Sequence, residues 1–486
     1  MGIDKSENGK VLSGIGWKFA ERFLAQGITF VISVILARII APEHYGEIAI
    51  IMVFIMIADV FVSNGLNQAL IQKKNADKTD FSTIFYCSLA ISVVLYVILF
   101  FTAPLISKFY NMNLTWPMRI CAVKLIISAY NSVQHAYVSR HMIFRRFFFS
   151  TLGGTLVSAV VGIVMAYKGF GIWALIGQFL TNSFIDSVVL SFTVNWHPSF
   201  IFSKKSAKEL LGFGSSCMFA NLIGSIFNNL RTFVIGKFYP SDQVAFYNKG
   251  KNFPDLISEN LTSSISSVMF PAMSNHNDDK TKVKELTKTS IRHTSYIIFP
   301  MMAGLFAVAT PLITVLLTEV WIESVLFLRL AAIHCALHIV TEANLQAMKA
   351  IGRGDVVLKL EFIKKPIALL LIIGAVPLGV KAMGVSLPLA TLISMIVNIQ
   401  PNRKLLGYGF FEQLKDLAPA IILSVVMCAA VYPIQFIPMP NIAILAVQAV
   451  TGVGIYVLLS HLTKNKSYQY LLWLIKTKMP KKKKAE

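Results

Sequence analysis

Ionisable side chains interrupt the apolar runs of this chain, and they do so at helical spacing. Lys18, Arg22, Gln26, Thr29 and Ser33 fall on one stripe at steps of three and four. Lys124, Ser128, Asn131 and His135 form a second, and Asn221, Ser225, Asn228 and Thr232, with Arg231 beside them, a third. Lys251, Asp255, Glu259, Thr262 and Ser266 make a fourth, and His334, His338 and Glu342 a fifth. An ionisable group in hydrocarbon costs about 2.5–3.5 kcal/mol on insertion scales, so each must face protein or water. Cations held this way suit an anionic headgroup such as a diphosphate, which needs charge-assisted donors away from bulk water. Lys18, Arg22, Lys124 and Arg231 are the expected anion-binding set. Asp59, Asp186, Asp255, Glu259 and Glu342 are the candidates for ion coupling or for ion pairing with these bases.

Each stripe also has a plainer explanation. Lys18, Glu21 and Arg22 suit a local pair near a helix end, with the lysine snorkelling to the interface. Lys251, Asp255 and Glu259 suit a salt-bridged ladder that only locks helices, and paired histidines are more often packing residues than proton relays. Asp59 and Asp186 are better read as partners of bases than as coupling acids. Lys124 resists such a reading, because it stands about two turns from either end of its apolar segment.

The elements that position these residues follow from composition. Of the 486 residues, 55% are hydrophobic and 14% charged, against about 25% charged in a soluble domain. Runs such as Gly27 to Ile40 and Ile84 to Phe101 reach, with their flanks, the roughly 20 residues that a bilayer-crossing helix needs. Apolar runs against charged, Pro or Gly breaks give helices at 13–40, 45–71, 81–106, 115–138, 147–167, 170–193, 211–238, 248–274, 290–317, 325–348, 358–379, 383–401, 417–436 and 441–463. The expected fold is an all-α integral membrane protein of about fourteen transmembrane helices. Alternate connections hold 29 Lys and Arg on one side against three on the other. By the positive-inside rule both termini are expected in the cytoplasm.

The net charge of +21 does not point to nucleic acid, because the basic residues lie between apolar runs and not on one soluble face. Cys87, Cys121, Cys217, Cys335 and Cys428 sit singly in apolar segments, without metal-site or redox spacing, and read as small core residues. The first helix is too long for a signal h-region and is expected to stay as an anchor. The tail from residue 464, with Lys481 to Lys484, suits either the anionic inner leaflet or a solvated end.

An internal repeat organises the helices. Gly14, Gly16 and Pro42 match Gly212, Gly214 and Pro240 at an offset of 198, and Ala103-Pro104-Leu105-Ile106 resembles Thr310-Pro311-Leu312-Ile313 at 207. The copies run in the same direction through the membrane. Two pseudo-symmetric six-helix bundles around a central cavity follow, at 1–193 and 211–405. A cytoplasmic linker at 194–210 joins them, helices 13 and 14 are appended at 406–463, and a basic tail closes the chain at 464–486. Transporters commonly have this plan, with the substrate site where the repeats meet. By the 198 offset Arg231 corresponds to Ser33, on the stripe of Lys18 and Arg22.

The stretch Leu36-Ala-Arg-Ile-Ile-Ala-Pro-Glu-His-Tyr-Gly46 resembles the end of the first helix in Wzx-type flippases, the polysaccharide-transporter branch of the multidrug/oligosaccharidyl-lipid/polysaccharide superfamily. So does Asp59 to Lys74, with its acid, its Gly and a final Ile-Gln before basic residues. Tyr247-Asn-Lys-Gly, Asn252-Phe-Pro-Asp-Leu-Ile257, Val268-Met-Phe-Pro-Ala-Met-Ser274 and Met348-Lys-Ala-Ile-Gly-Arg-Gly-Asp355 look like the corresponding segments of colanic-acid exporters. The resemblance implies transfer of an undecaprenyl-diphosphate-linked oligosaccharide across a bacterial cytoplasmic membrane for surface polysaccharide synthesis, with a proton or sodium gradient as the suggested drive. Arg38 and Asp59 fall in the matching motifs. The implied partners are the lipid-linked saccharide and membrane lipid, with a polysaccharide polymerase and glycosyltransferases as candidate protein partners.

No cofactor or metal is expected. The alternatives are a cation-coupled drug or metabolite exporter of the same superfamily, which would want a more acidic and aromatic cavity, and a multispanning polysaccharide-modifying enzyme. The chain has no phosphate-binding Gly-rich loop and no Ser/His/Asp arrangement, and its longest polar connections, at 194–210, 275–289 and 402–416, carry no catalytic set.

Overall fold

Backbone amides have no water to bond in hydrocarbon, so a chain this apolar must close its hydrogen bonds within helices. The computed structural model describes residues 24–73 and 75–478, and among them every long regular element is helical, with no strand. The chain divides into two compact units, Met1–Ala245 and Phe246–Glu486.

The first unit opens with α1 (Leu24–Ile39) and α2 (Pro42–Asp59), which passes through a π turn at Val60–Asn64 into α3 (Gly65–Gln72). Pro42 at the first position of α2 forgoes an N–H that would be unpaired there anyway. Next comes α4 (Lys78–Tyr110), opened by a capping box between Asp77 and Asp80 and closed by Asn111 in the left-handed region. After it come α5 (Thr115–Cys121), α6 (Lys124–Arg140), α7 (Arg145–Tyr167), α8 (Ile172–Thr193) and α9 (Lys204–Phe238). The helices α7 and α8 form a tight hairpin, because a side chain at Gly154 would come within 2.9 Å of the Asn182 carbonyl oxygen. The core below α3 gathers Leu66, Leu70, Phe81, Val133, Phe147 and Trp196.

Arg140 at the end of α6 donates to the Leu70 carbonyl at 2.9 Å and also to that of Lys73, satisfying orphan carbonyls at the C-terminus of α3. Lys73 pairs with Asp80 at 3.0 Å and with Glu209 of α9 at 3.2 Å. By its packing, α9 lies on α2, α3 and α4.

The helix α10 (Ser241–Ser274) starts in the first unit and enters the second at Phe246, where α11 (Lys280–Leu317), α12 (Ser324–Ala350), α13 (Gly354–Ala375), α14 (Val380–Leu406), α15 (Phe410–Val431), α16 (Asn441–Leu462) and α17 (Lys466–Lys478) follow. The pair α10 and α12 runs in parallel. Gly250 meets the backbone of Ser324 and Leu328, Asp255 meets Cys335, and Ser266 meets Gln346 at 3.4 Å. That order requires α11 to carry the chain back between them. A basic face of α11 zips onto the start of α15: Lys284 and Lys288 reach Glu412 at 3.0 and 3.4 Å, and Arg292 reaches Asp416 at 2.5 Å. Tyr408 donates to the same Asp416 at 2.9 Å. In the buried interior Asn344 and Gln413 exchange hydrogen bonds of 2.9 and 2.8 Å, and Asn402 Nδ2 donates to Asn344 Oδ1 at 2.6 Å.

Each of the fourteen expected segments meets a helix among the described residues, and nine spans there are long and apolar enough to cross a bilayer. The less apolar remainder includes α5–α6, α9 and α10, which carry three of the polar stripes. Helices also overrun the apolar segments. The α9 helix starts at Lys204 and not at 211, and α11 at Lys280 and not at 290, each capped by a side chain, Ser203 or Asp279. Hydropathy marks where lipid begins, whereas the helix continues until a cap stops it. The segment 115–138 is broken at Ala122–Val123 and so forms two helices.

Candidate functional site

Lys18 and Arg22 lie outside the described residues. Lys124 takes the first position of α6, directly after the break that separates α5 from α6, and is therefore at a helix end and not in mid-helix. Its side chain is half-buried. Among the described residues no acid lies within ion-pair reach of it and no side chain or carbonyl hydrogen-bonds it. Arg231 is half-buried on α9, in the same unit.

Asp186 on α8 is the hub of a polar cluster with α6 and α7. Its carboxylate accepts from Asn131 Nδ2 at 3.3 Å and from the Ser150 hydroxyl, and lies 3.1 Å from His135 Nε2. Ser187 donates to Asn131 Oδ1, and Ser191 to the Tyr130 hydroxyl at 2.9 Å. The stripe of Lys124, Asn131 and His135 is thus real in part: its lower members serve Asp186, whose basic partner is a histidine and not a lysine. Asp59 immediately precedes the π turn. Its Oδ2 accepts from Ser63 at 3.0 Å, while its buried Oδ1 has no hydrogen-bond partner among the described residues.

In the second unit Lys251 pairs with Asp255 at 3.3 Å, one turn along α10. Glu259 is exposed and makes no ion pair among the described residues. On α12, His338 stands 3.8 Å from Glu342, and the His334 and His338 rings are 5.6 Å apart. Glu342 also lines a cavity of about 20 Å³ with Thr262, Ser266, Ser290, Thr294 and Gln346, room for one water. An apolar cavity of about 500 Å³ opens among α11, α12 and α15, lined by Phe299, Phe306, Ile333, Leu337, Ile421 and Tyr432.

Two structural features escaped the sequence reading. Asp255, His334 and Cys335 come together across α10 and α12, which no spacing within one helix signals. Arg119 and Arg329 each serve a helix bearing one of the matched prolines, and that repeat was the available signal.

Helices of this number and polarity, with polar clusters inside each unit, define a multi-pass membrane protein of the transporter class. Residues 35–326 match the family described as polysaccharide biosynthesis protein, and the chain belongs to that family. It is 25% identical over 347 residues to the succinoglycan biosynthesis transport protein ExoT of Rhizobium meliloti (strain 1021), covering 71% of this chain and 70% of that protein. Over 397 residues it is 24% identical to the lipopolysaccharide biosynthesis protein WzxC of Escherichia coli (strain K12), covering 80% and 79%. In fold it resembles the lipid II flippase MurJ in its inward closed conformation, with a TM-score of 0.76, 15% identity, and coverage of 94% of this chain and all of that one.

Proposed function

We propose that this protein is a flippase that carries a polyprenyl-diphosphate-linked oligosaccharide across the membrane for cell-surface polysaccharide synthesis. Membership of the polysaccharide biosynthesis family, together with a relative named as a transport protein, carries the reading. The protein is a transporter and not an enzyme. Lys18, Arg22, Lys124 and Arg231 engage the diphosphate, and Lys124, half-buried and without an ion pair among the described residues, supports that assignment. The apolar cavity among α11, α12 and α15 suits an isoprenoid chain.

Transport proceeds by alternating access of two six-helix bundles, 1–193 and 211–405. A proton or sodium gradient drives it through some of Asp59, Asp186, Asp255, Glu259 and Glu342, of which Asp59, whose buried Oδ1 has no hydrogen-bond partner among the described residues, is best placed to take up a cation. The protein sits in a bacterial inner membrane with both termini cytoplasmic, beside the polymerase and glycosyltransferases of its pathway. Deleting it should leave the lipid-linked repeat unit accumulating with its sugars facing the cytoplasm. Surface polysaccharide made at the normal rate without the protein would overturn the reading.

A further inference from the structure

The parallel pairing of α10 and α12 sets three ligand-type side chains from two helices in one place. Asp255, His334 and Cys335 each offer a ligand atom, and the three atoms lie within 4.8 Å of one another. We propose that these residues form a site for a soft divalent cation of the Zn²⁺ class. Carboxylate, imidazole and thiolate together are the ligand types that select such an ion over Mg²⁺ or Ca²⁺.

Tetrahedral Zn²⁺ has bonds of about 2.0–2.3 Å, which places its ligand atoms roughly 3.5 Å apart. Asp255 Oδ1 and Cys335 Sγ are already 3.4 Å apart. The remaining contraction is within the swing of one side chain.

The surroundings orient the ligands as a metal requires. Thr391 Oγ1 donates its hydrogen to the Leu387 carbonyl at 2.9 Å, so at 2.5 Å from His334 Nδ1 it accepts. A proton on His334 Nδ1 serves this contact, and in that neutral tautomer Nε2 carries the lone pair. Fixing one imidazole nitrogen by a hydrogen bond is the usual support of a metal-binding histidine. Lys251 holds Asp255 through Oδ2 and leaves Oδ1 directed at the thiol.

Binding replaces the Cys335 S–H bond with a metal–sulfur bond, and the proton leaves to water. The ion's two charges are then balanced by thiolate and carboxylate. A water completes the coordination, and the Asp255 side chain, about a quarter exposed, gives an entry path.

The test is metal binding to the purified full-length protein in detergent, with no lipid substrate, so its failure is separate from failure of the transport reading. In a background with Cys87, Cys121, Cys217 and Cys428 replaced by Ala, one Zn²⁺ per chain is expected. Co²⁺ in its place should give a thiolate-to-metal charge-transfer band. Cys335→Ser should abolish the band, and Asp255→Asn and His334→Gln should each weaken binding at least tenfold. Thr391→Val, which leaves all three ligands in place, should weaken it about tenfold. Absence of a bound ion and of the band in the protein with Cys335 intact would leave only an ion pair and a thiol hydrogen bond here, and would overturn the proposal. So would a band that persists in Cys335→Ser.

Discussion

Arg119 Nε donates to the Phe100 carbonyl oxygen at 3.0 Å, and Phe100 lies four residues before Pro104 inside α4. Proline has no N–H, so this carbonyl loses its helical partner, and the arginine replaces it. The guanidinium also stands 4.1 Å from the Phe100 ring centroid. In the second unit Arg329 Nε donates to the Phe306 carbonyl at 3.2 Å, and its Nη2 to Thr310 Oγ1 at 3.1 Å, next to Pro311. The two prolines belong to the matched segments of the repeat and each has an arginine beside it, but Phe306 lies five residues before Pro311, so only Arg119 replaces the bond that a proline removes.

Replacing Arg119 by Ala leaves a half-buried carbonyl without its donor and should cost about 1 kcal/mol. Thermal unfolding in detergent reads the loss, and Arg119→Lys should recover part of it. An unchanged melting temperature in Arg119→Ala would show the carbonyl to be satisfied elsewhere.

The clasp of Lys73, Asp80 and Glu209 predicts a pH dependence. Burial pushes the Asp80 carboxyl up, but hydrogen bonds from Ser206, Lys73 and the Asp77 amide outweigh it and hold it below the usual range. A depressed carboxyl stabilises the fold above its unfolded pKa of about 3.9 and loses that contribution as pH falls through the folded value. Stability should therefore drop on acidification below about pH 4. Asp80→Asn should flatten that limb of the profile, and an identical limb in the variant would assign it to other groups.

Gly46 is where α2 and the start of α10 touch backbone to backbone. A Cβ there would fall well inside contact distance of the Ser241 carbonyl oxygen. Gly46→Ala should cost about 3 kcal/mol or more, seen as low yield of folded protein. Gly212→Ala, at a glycine with open space around it, should not.

Much of this was legible in the sequence. Alternating lysine-rich and lysine-poor connections marked the helices, the stripes marked Asp255 and Glu342 as polar positions, and Asp186 stood out as an acid within an apolar segment. The break before Lys124 was not legible, because Ile120 to Ile127 stays apolar through it except at the lysine itself. Nor was the meeting of Asp255 with Cys335, since contacts between helices depend on register that no single helix encodes. The overrun of α9 and α11 was hidden because charged residues such as Lys204 and Lys280 propagate a helix well but end an apolar run.

Lys124→Ala should remove a half-buried cation that makes no ion pair among the described residues. Export of surface polysaccharide should fall at least tenfold while the protein level in the membrane holds. Normal export would move the anion site elsewhere.

The most direct test is movement of a defined polyprenyl-diphosphate-linked oligosaccharide across liposomes containing the purified protein, read by enzymatic access to the sugars. Transfer well above protein-free liposomes is predicted, increased by an imposed proton or sodium gradient. No transfer of any such lipid, with or without a gradient, would contradict the assignment as a saccharide flippase.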